Sequence, residues 1–171
     1  MKFDLKGRVT PTLMMAQFII CGFVGWVYET VLTSAVFGYY VDRGVLNIPL
    51  LPIYGVFALI LPFVFPRNTS WLKIFFAGTA GATVFELAAS YLTEAVLGYR
   101  LWDYYDWKFN LDGRICLGAS LIFGLMILLY MKVIEPLTLY MSKNGGVLFT
   151  IAVWTVAVGA AGAELYLMIS R

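Results

Sequence analysis

Five apolar runs, each twenty residues or longer, dominate this chain: 12–37, 46–65, 71–97, 115–140 and 147–169. A helix needs about 20 predominantly apolar residues to cross the hydrocarbon core of a bilayer. No water is available there, so each backbone N–H and C=O must be satisfied inside the protein, and only helices and closed barrels can span. The runs therefore predict an all-α membrane protein, a bundle of five transmembrane helices with one longer outer loop at 98–114, treated as a single transmembrane domain over 1–171. With only 13% charged residues and a mean hydropathy of +0.84, the sequence leaves no stretch for a soluble catalytic or nucleotide-binding domain. It has no Walker-type glycine loop, so ATP, if it drives this protein, binds to another chain.

The chain has no histidine, and its two cysteines, Cys21 and Cys116, lack CxxC spacing. Zinc, haem and Ser-His chemistry therefore lose their usual ligands or base. No cofactor and no metal are expected, and no catalytic set stands out. Cys21 reads as a small packing residue, while Cys116 follows Arg114 at the outer end of a run, where a reactive thiol has room but no supporting feature. A formal net charge of +2 with scattered basic residues argues against nucleic acid as a partner. Membrane lipids are the partners that the composition does imply.

Within the apolar runs lie Glu29, Glu86, Glu94 and Glu164. A charged carboxylate at the bilayer centre costs roughly 2.5 to 3.5 kcal/mol on insertion scales, so such residues are retained for function or are paired. Glu86, Ser90 and Glu94 are spaced i, i+4, i+8 and share one helix face. Arg43 and Arg114, in or beside the outer connections, are the expected partners of this stripe, since guanidinium is preferred by desolvated carboxylates and phosphates. Glu164, close to a helix end, reads as a side chain that snorkels to water.

The second run carries Pro49, Pro52 and Pro62, which remove backbone donors, so its outer end is expected to be kinked or unwound. Asn144, Gly145 and Gly146 mark a turn between the last two runs. The aromatic and acidic segment 102–107 suits either an interfacial belt or a lid over a site. Asn110, Asp112 and Gly113 suit a turn that returns Arg114 to the membrane. Gly78, Gly81 and Ala82, and again Gly159, Gly162 and Ala163, suit close helix approach.

Lysine and arginine placement sets the expected orientation. Lys2, Lys6, Arg8, Arg67, Lys73, Lys132 and Lys143 fall on the side of the N-terminus, against Arg43, Arg100, Lys108, Arg114 and Arg171 on the other. The bias places the N-terminus in the cytoplasm and the C-terminus outside, in the plasma membrane. At ~1.5 Å per residue, Glu29 then lies about 12 Å and Glu86 about 16 Å below the outer ends of their helices. All four acids fall in the outer half or at the midplane.

An internal echo links Tyr28-Glu29, Gly38-Tyr39 and Asp42-Arg43-Gly44 to Phe85-Glu86, Gly98-Tyr99 and Asp112-Gly113-Arg114. Both copies run helix, outer loop, helix, a parallel two-helix repeat with one helix appended.

Several ordered blocks carry a resemblance: Gly25-Trp26-Val27-Tyr28-Glu29-Thr30; Arg43 through Pro49 with Leu51-Pro52-Ile53-Tyr54-Gly55; and Trp102-Asp103-Tyr104 through Asn110 to Gly113-Arg114-Ile115-Cys116. Over about 22–117 the chain resembles small bacterial multi-pass membrane proteins classed as ABC-transporter type IV, permease-like. The resemblance implies a plasma-membrane permease with a separate ATP-binding subunit as partner, and it brings no catalytic assignment. The short inner connections at 66–70 and 141–146 offer little surface for such a subunit.

Three readings of function remain open at this level. In the first, a permease-like protein binds or transports a small polar solute or a lipid headgroup through an outward-facing Glu/Arg pocket of Glu29, Arg43, Asn47, Tyr54, Glu86, Ser90, Glu94, Trp102, Asp103, Asn110 and Arg114. In the second, an intramembrane enzyme modifies lipid, with Glu as general base and Arg as a phosphate or oxyanion clamp. In the third, a structural accessory subunit uses the charges only as an ion-pair network. Non-enzymatic binding or transport is the expectation.

Overall fold

The computed structural model describes Leu5, 7–44 and 46–170. Lys2, Lys6 and Arg171, which entered the charge count above, lie outside the described residues. Four continuous helical stretches are present among the described residues against the five expected: α1 (Pro11–Phe37), α2 (Pro52–Val64), α3 (Trp71–Leu97), and a run from Leu117 to Ile169 that is kinked within. The last comprises α4 (Leu117–Leu129), a π-helical turn Tyr130–Ile134 and α5 (Glu135–Ile169). A two-residue hairpin, β1 (Asn110–Leu111) with β2 (Ile115–Cys116), precedes α4. Three stretches are long and apolar enough to cross a membrane, Pro11–Phe37, Trp71–Leu97 and Leu117–Ile169.

One expectation is corrected here and another is met. The fourth and fifth runs, 115–140 and 147–169, follow one another without an intervening loop, but the turn signal takes effect between them: Gly146 has φ 47°, ψ −120°, outside helical geometry, so two helices meet there at a kink. The second span, 46–65, is helical only over the 13 residues of α2, too short to cross. Pro49 and Pro52 account for this, since a helix cannot extend backward through a proline ring without a clash, whereas Pro52 is well placed in the first turn of α2.

The described chain divides into two compact units, one formed by the residues up to Arg67 together with those from Lys132 onward, the other by Asn68–Met131. Both share an order of elements. Each opens with a 27-residue helix closed by a left-handed glycine, Gly38 (φ 75°) after α1 and Gly98 (φ 79°) after α3, the usual use of glycine at a helix C-terminus. Each then passes through a non-helical segment into a 13-residue helix, α2 or α4.

In the first unit, α1 packs against α2 and α5. Lipid tails are as apolar as leucine, so helix association in a membrane depends on close van der Waals fit and small residues. The α1–α2 contact is made that way: Gly22 lies under Leu50, Gly25 under the ring of Tyr54, and Gly55 under Phe18, each too close to admit a Cβ. Leu13, Ala16, Leu139 and Phe149 form a buried cluster where α5 meets α1, on both sides of the Gly146 bend. In the second unit, Gly78 meets Ile127, and Gly124 meets Phe75 and Thr79. Gly78 and Ala82 thus serve packing as expected, while Gly81, Gly159 and Gly162 face open space.

Candidate functional site

In the first unit the polar groups gather where residues 38–44 and 46–51 run beside α1. The Glu29 carboxylate accepts from the Tyr54 hydroxyl at 2.7 Å, and its other oxygen lies 3.6 Å from Nε of Arg43. The Arg43 backbone N–H approaches the Thr30 hydroxyl at 3.5 Å. Asp42 accepts from Trp26 Nε1 and from the Gly44 N–H, both at 2.8 Å. Asn47 donates twice to Glu164, from its backbone N–H at 2.8 Å and from its side-chain amide at 2.9 Å. Glu164 is therefore not a side chain that merely snorkels; it ties α5 to the segment after α1.

The second unit holds the stripe on α3. Glu86 and Ser90 are buried, and Glu94 is partly open. Arg114 reaches α3 through three contacts, Glu94 at 2.5 Å, Ser90 Oγ at 3.1 Å, and the Tyr91 ring, whose centroid lies 3.8 Å from the guanidinium carbon, and it also donates to Asp112 in its own loop at 3.0 Å. The hydrogen bond to Glu94 raises the Arg114 pKa above its ordinary value, outweighing the lost solvation. Arg100 adds contacts to Glu94 at 3.4 Å and to Asp112 at 3.3 Å. Glu86 accepts from the Tyr104 hydroxyl at 3.0 Å. Within segment 102–107, then, one aromatic dips to the acid, while Tyr105 stays exposed.

Several residues expected in the pocket instead build the loop that delivers Arg114. Trp102 donates to the Arg114 carbonyl at 2.9 Å. Asp103 accepts from the Tyr105 N–H at 2.8 Å. Asn110 donates to the carbonyls of Tyr105 and Trp107 and accepts from the Gly113 N–H. Asp112 (φ 52°) and Gly113 (φ 66°) make the left-handed turn back to α4. Cys116 is buried and caps α4 by accepting from the Ala119 N–H, so it is not an accessible thiol. No cluster of potential metal ligands occurs among the described residues. Glu29 and Arg43 belong to the first unit, and Glu86, Ser90, Glu94 and Arg114 to the second.

Because lysine presents a compact point charge in place of a planar fork, Arg114→Lys is expected to forfeit most of these contacts and loosen the loop. Tryptic cleavage after Lys108 should then become faster than in the parent protein. An unchanged cleavage rate would show that the loop holds its shape without the guanidinium.

The sequence reading overlooked a second polar cluster in the first unit. Arg8, fully buried, pairs with Glu135 at 2.5 Å and donates to the carbonyls of Pro62 and Phe65 at the end of α2. Gln17 donates to Thr138 at 3.2 Å beside it. The available signal was Glu135, a fifth glutamate inside an apolar run, placed just after what proves to be a π-helical turn, a feature frequent at functional positions.

Neither a curated protein nor a solved structure matches this chain. The family model described as "Putative ABC-transporter type IV" matches residues 16–168. That span takes in both units and almost all of the described helices, and this apolar, helical chain is accordingly a membrane protein belonging to that ABC-transporter-type family.

Proposed function

We propose that the chain is the permease-like, membrane-embedded component of a plasma-membrane transporter, and that its Glu/Arg clusters bind a small polar solute or a lipid headgroup. The observation that carries this reading is common to both units. An acid on a long helix is met by a tyrosine hydroxyl, and an arginine within the non-helical segment pairs with an acid of that helix: Glu29 meets Tyr54 and Arg43 in one, and in the other Glu86 meets Tyr104 while Arg114 pairs with Glu94. Paired guanidinium, carboxylate and hydroxyl groups offer both donors and acceptors to a polar ligand. The matching order of elements favours a duplicated unit, as in repeat-built transporters. ATP would be bound by a separate subunit.

The N-terminus is cytoplasmic and the C-terminus outside. Contacts within the first unit support opposite faces for the two ends: Phe149 packs with Leu13 and Ala16 near the start of α1, while Glu164 binds Asn47, in the segment that lies beside α1 between the levels of Gly22 and Trp26. The last part of α5 therefore runs parallel to α1.

Native mass spectrometry of the protein purified in mild detergent tests the proposal. A stoichiometric ATP-binding subunit and a bound polar solute or lipid are expected, and Glu86→Gln should lose the bound species while remaining folded and monodisperse. A parent protein that carries neither would overturn the transporter reading.

A further inference from the structure

The connection between α1 and α2 does not stay at the membrane surface. Its contacts run down α1 from Ser34 to Gly22. The Val41 N–H donates to Ser34 Oγ at 2.9 Å, the Arg43 N–H approaches Thr30, Asp42 takes the Trp26 indole, and the Leu51 N–H donates to the Gly22 carbonyl at 3.0 Å. Gly22 lies 15 residues before Phe37, so the chain travels about 22 Å down the helix before α2 begins. The length of α2 agrees: 13 residues rise about 20 Å, enough to carry its end from Gly22 to Arg8, which binds the carbonyls of Pro62 and Phe65.

This descent lies inside the hydrocarbon wherever the bilayer sits on α1. Every 20-residue window that fits within Pro11–Phe37 includes Gly22. Even the window nearest the N-terminus, 11–30, puts Gly22 about 12 Å below the surface at which α1 ends. Non-helical backbone at that depth is tolerated only where protein encloses it or water reaches it. Protein encloses only its lowest part, where Leu50 and Leu51 are buried; above them Asp42 and Pro49 are exposed, residues 46–48 are half-buried, and the N–H groups of Leu46 and Ile48 find no acceptor among the described residues. Lipid tails can satisfy neither these groups nor the exposed charge of Asp42.

We infer that residues 38–44 and 46–51 are a re-entrant segment lining a water-filled vestibule, open to the face where α1 ends and reaching the level of Gly22. Its walls carry Glu29, Asp42, Arg43, Asn47 and Glu164, so the vestibule is the route by which a small hydrophilic molecule from that face reaches Glu29. The α2 helix, with Phe65 and Leu61 buried at its far end, closes the lower part. The inference goes beyond the proposed transport function, because hydration of the vestibule requires neither a bound solute nor an ATP-binding subunit.

Thiol accessibility tests it in sealed, right-side-out membrane vesicles. Both native thiols are buried, and a Cys21→Ala, Cys116→Ser background keeps the hydroxyl cap on α4. Single reporters are then placed at the re-entrant positions, Ile48→Cys and Pro49→Cys, and at Phe23→Cys, an exposed position on α1 at the same depth. The probe is a membrane-impermeant, charged methanethiosulfonate added to the outside. A thiol in hydrocarbon does not ionise and is inert, so Ile48→Cys and Pro49→Cys should be modified and Phe23→Cys should not. If neither re-entrant reporter reacts until the protein is denatured, there is no vestibule. Equal reaction at Phe23→Cys also overturns the inference, because the depth assigned to α1 would be wrong. Loss of the bound species in Glu86→Gln bears only on the transport proposal, so the two can fail separately.

Discussion

Replacing Arg8 by alanine is expected to destabilise the protein by about 3–5 kcal/mol, the cost of leaving a buried ionic partner uncompensated. Arg8 has no exposed surface and Glu135 almost none. Without the guanidinium, the buried Glu135 carboxylate loses its partner, and the carbonyls of Pro62 and Phe65 lose their donor at the negative end of the α2 dipole. Thermal unfolding in detergent should show a large fall in Tm for Arg8→Ala and a similar fall for Glu135→Gln. The double replacement Arg8→Met, Glu135→Leu should recover much of the loss, since apolar residues of similar volume can substitute for a buried pair. A single replacement that leaves Tm unchanged would mean that the pair contributes nothing to holding α1, α2 and α5 together.

The second large effect is expected at Gly25, where Gly25→Val would force branched carbon into the space of the Tyr54 ring. Overpacking of this kind typically costs about 1–3 kcal/mol. Tyr54 also donates to Glu29, so moving its ring should withdraw the hydroxyl from the carboxylate as well. The same variant should therefore show a lower Tm and any ligand bound at Glu29 should be lost with it. Gly81→Val provides the contrast, because nothing lies within 4 Å of a side chain added there. Equal Tm values for the two variants would contradict the close α1–α2 packing.

What could be read in the sequence follows from how local the governing physics is. Apolar length alone located α1 and α3, since an unbroken run of that size must bury its backbone in a helix. The same measure overextended α2, because Leu46, Leu50 and Leu51 are apolar enough for a membrane while Pro49 and Pro52 forbid the helix. Hydropathy scores transfer of side chains and says nothing about backbone donors. Arg114 was legible as a partner of the α3 acids because turn residues lie immediately before it and return it to that helix. Arg43 came to Glu29, in its own unit. The pairs Asn47–Glu164 and Arg8–Glu135 were not legible, as 117 and 127 residues separate the partners. Helical periodicity gives the face a residue occupies on its own helix, and no local rule identifies the helix that will meet that face.

The separation between Arg8 and Glu135 sets an order for assembly during synthesis. At about 5–20 residues per second, the 127 residues between them take roughly 6 to 25 s to emerge. Throughout that interval Arg8 has no carboxylate partner, and its long side chain must stay at the aqueous interface. The unit formed by Asn68–Met131 is contiguous in the chain and has all its parts before Glu135 is made. The second unit in sequence is thus the first that can be completed, and the N-terminal helix waits at the membrane for the last one.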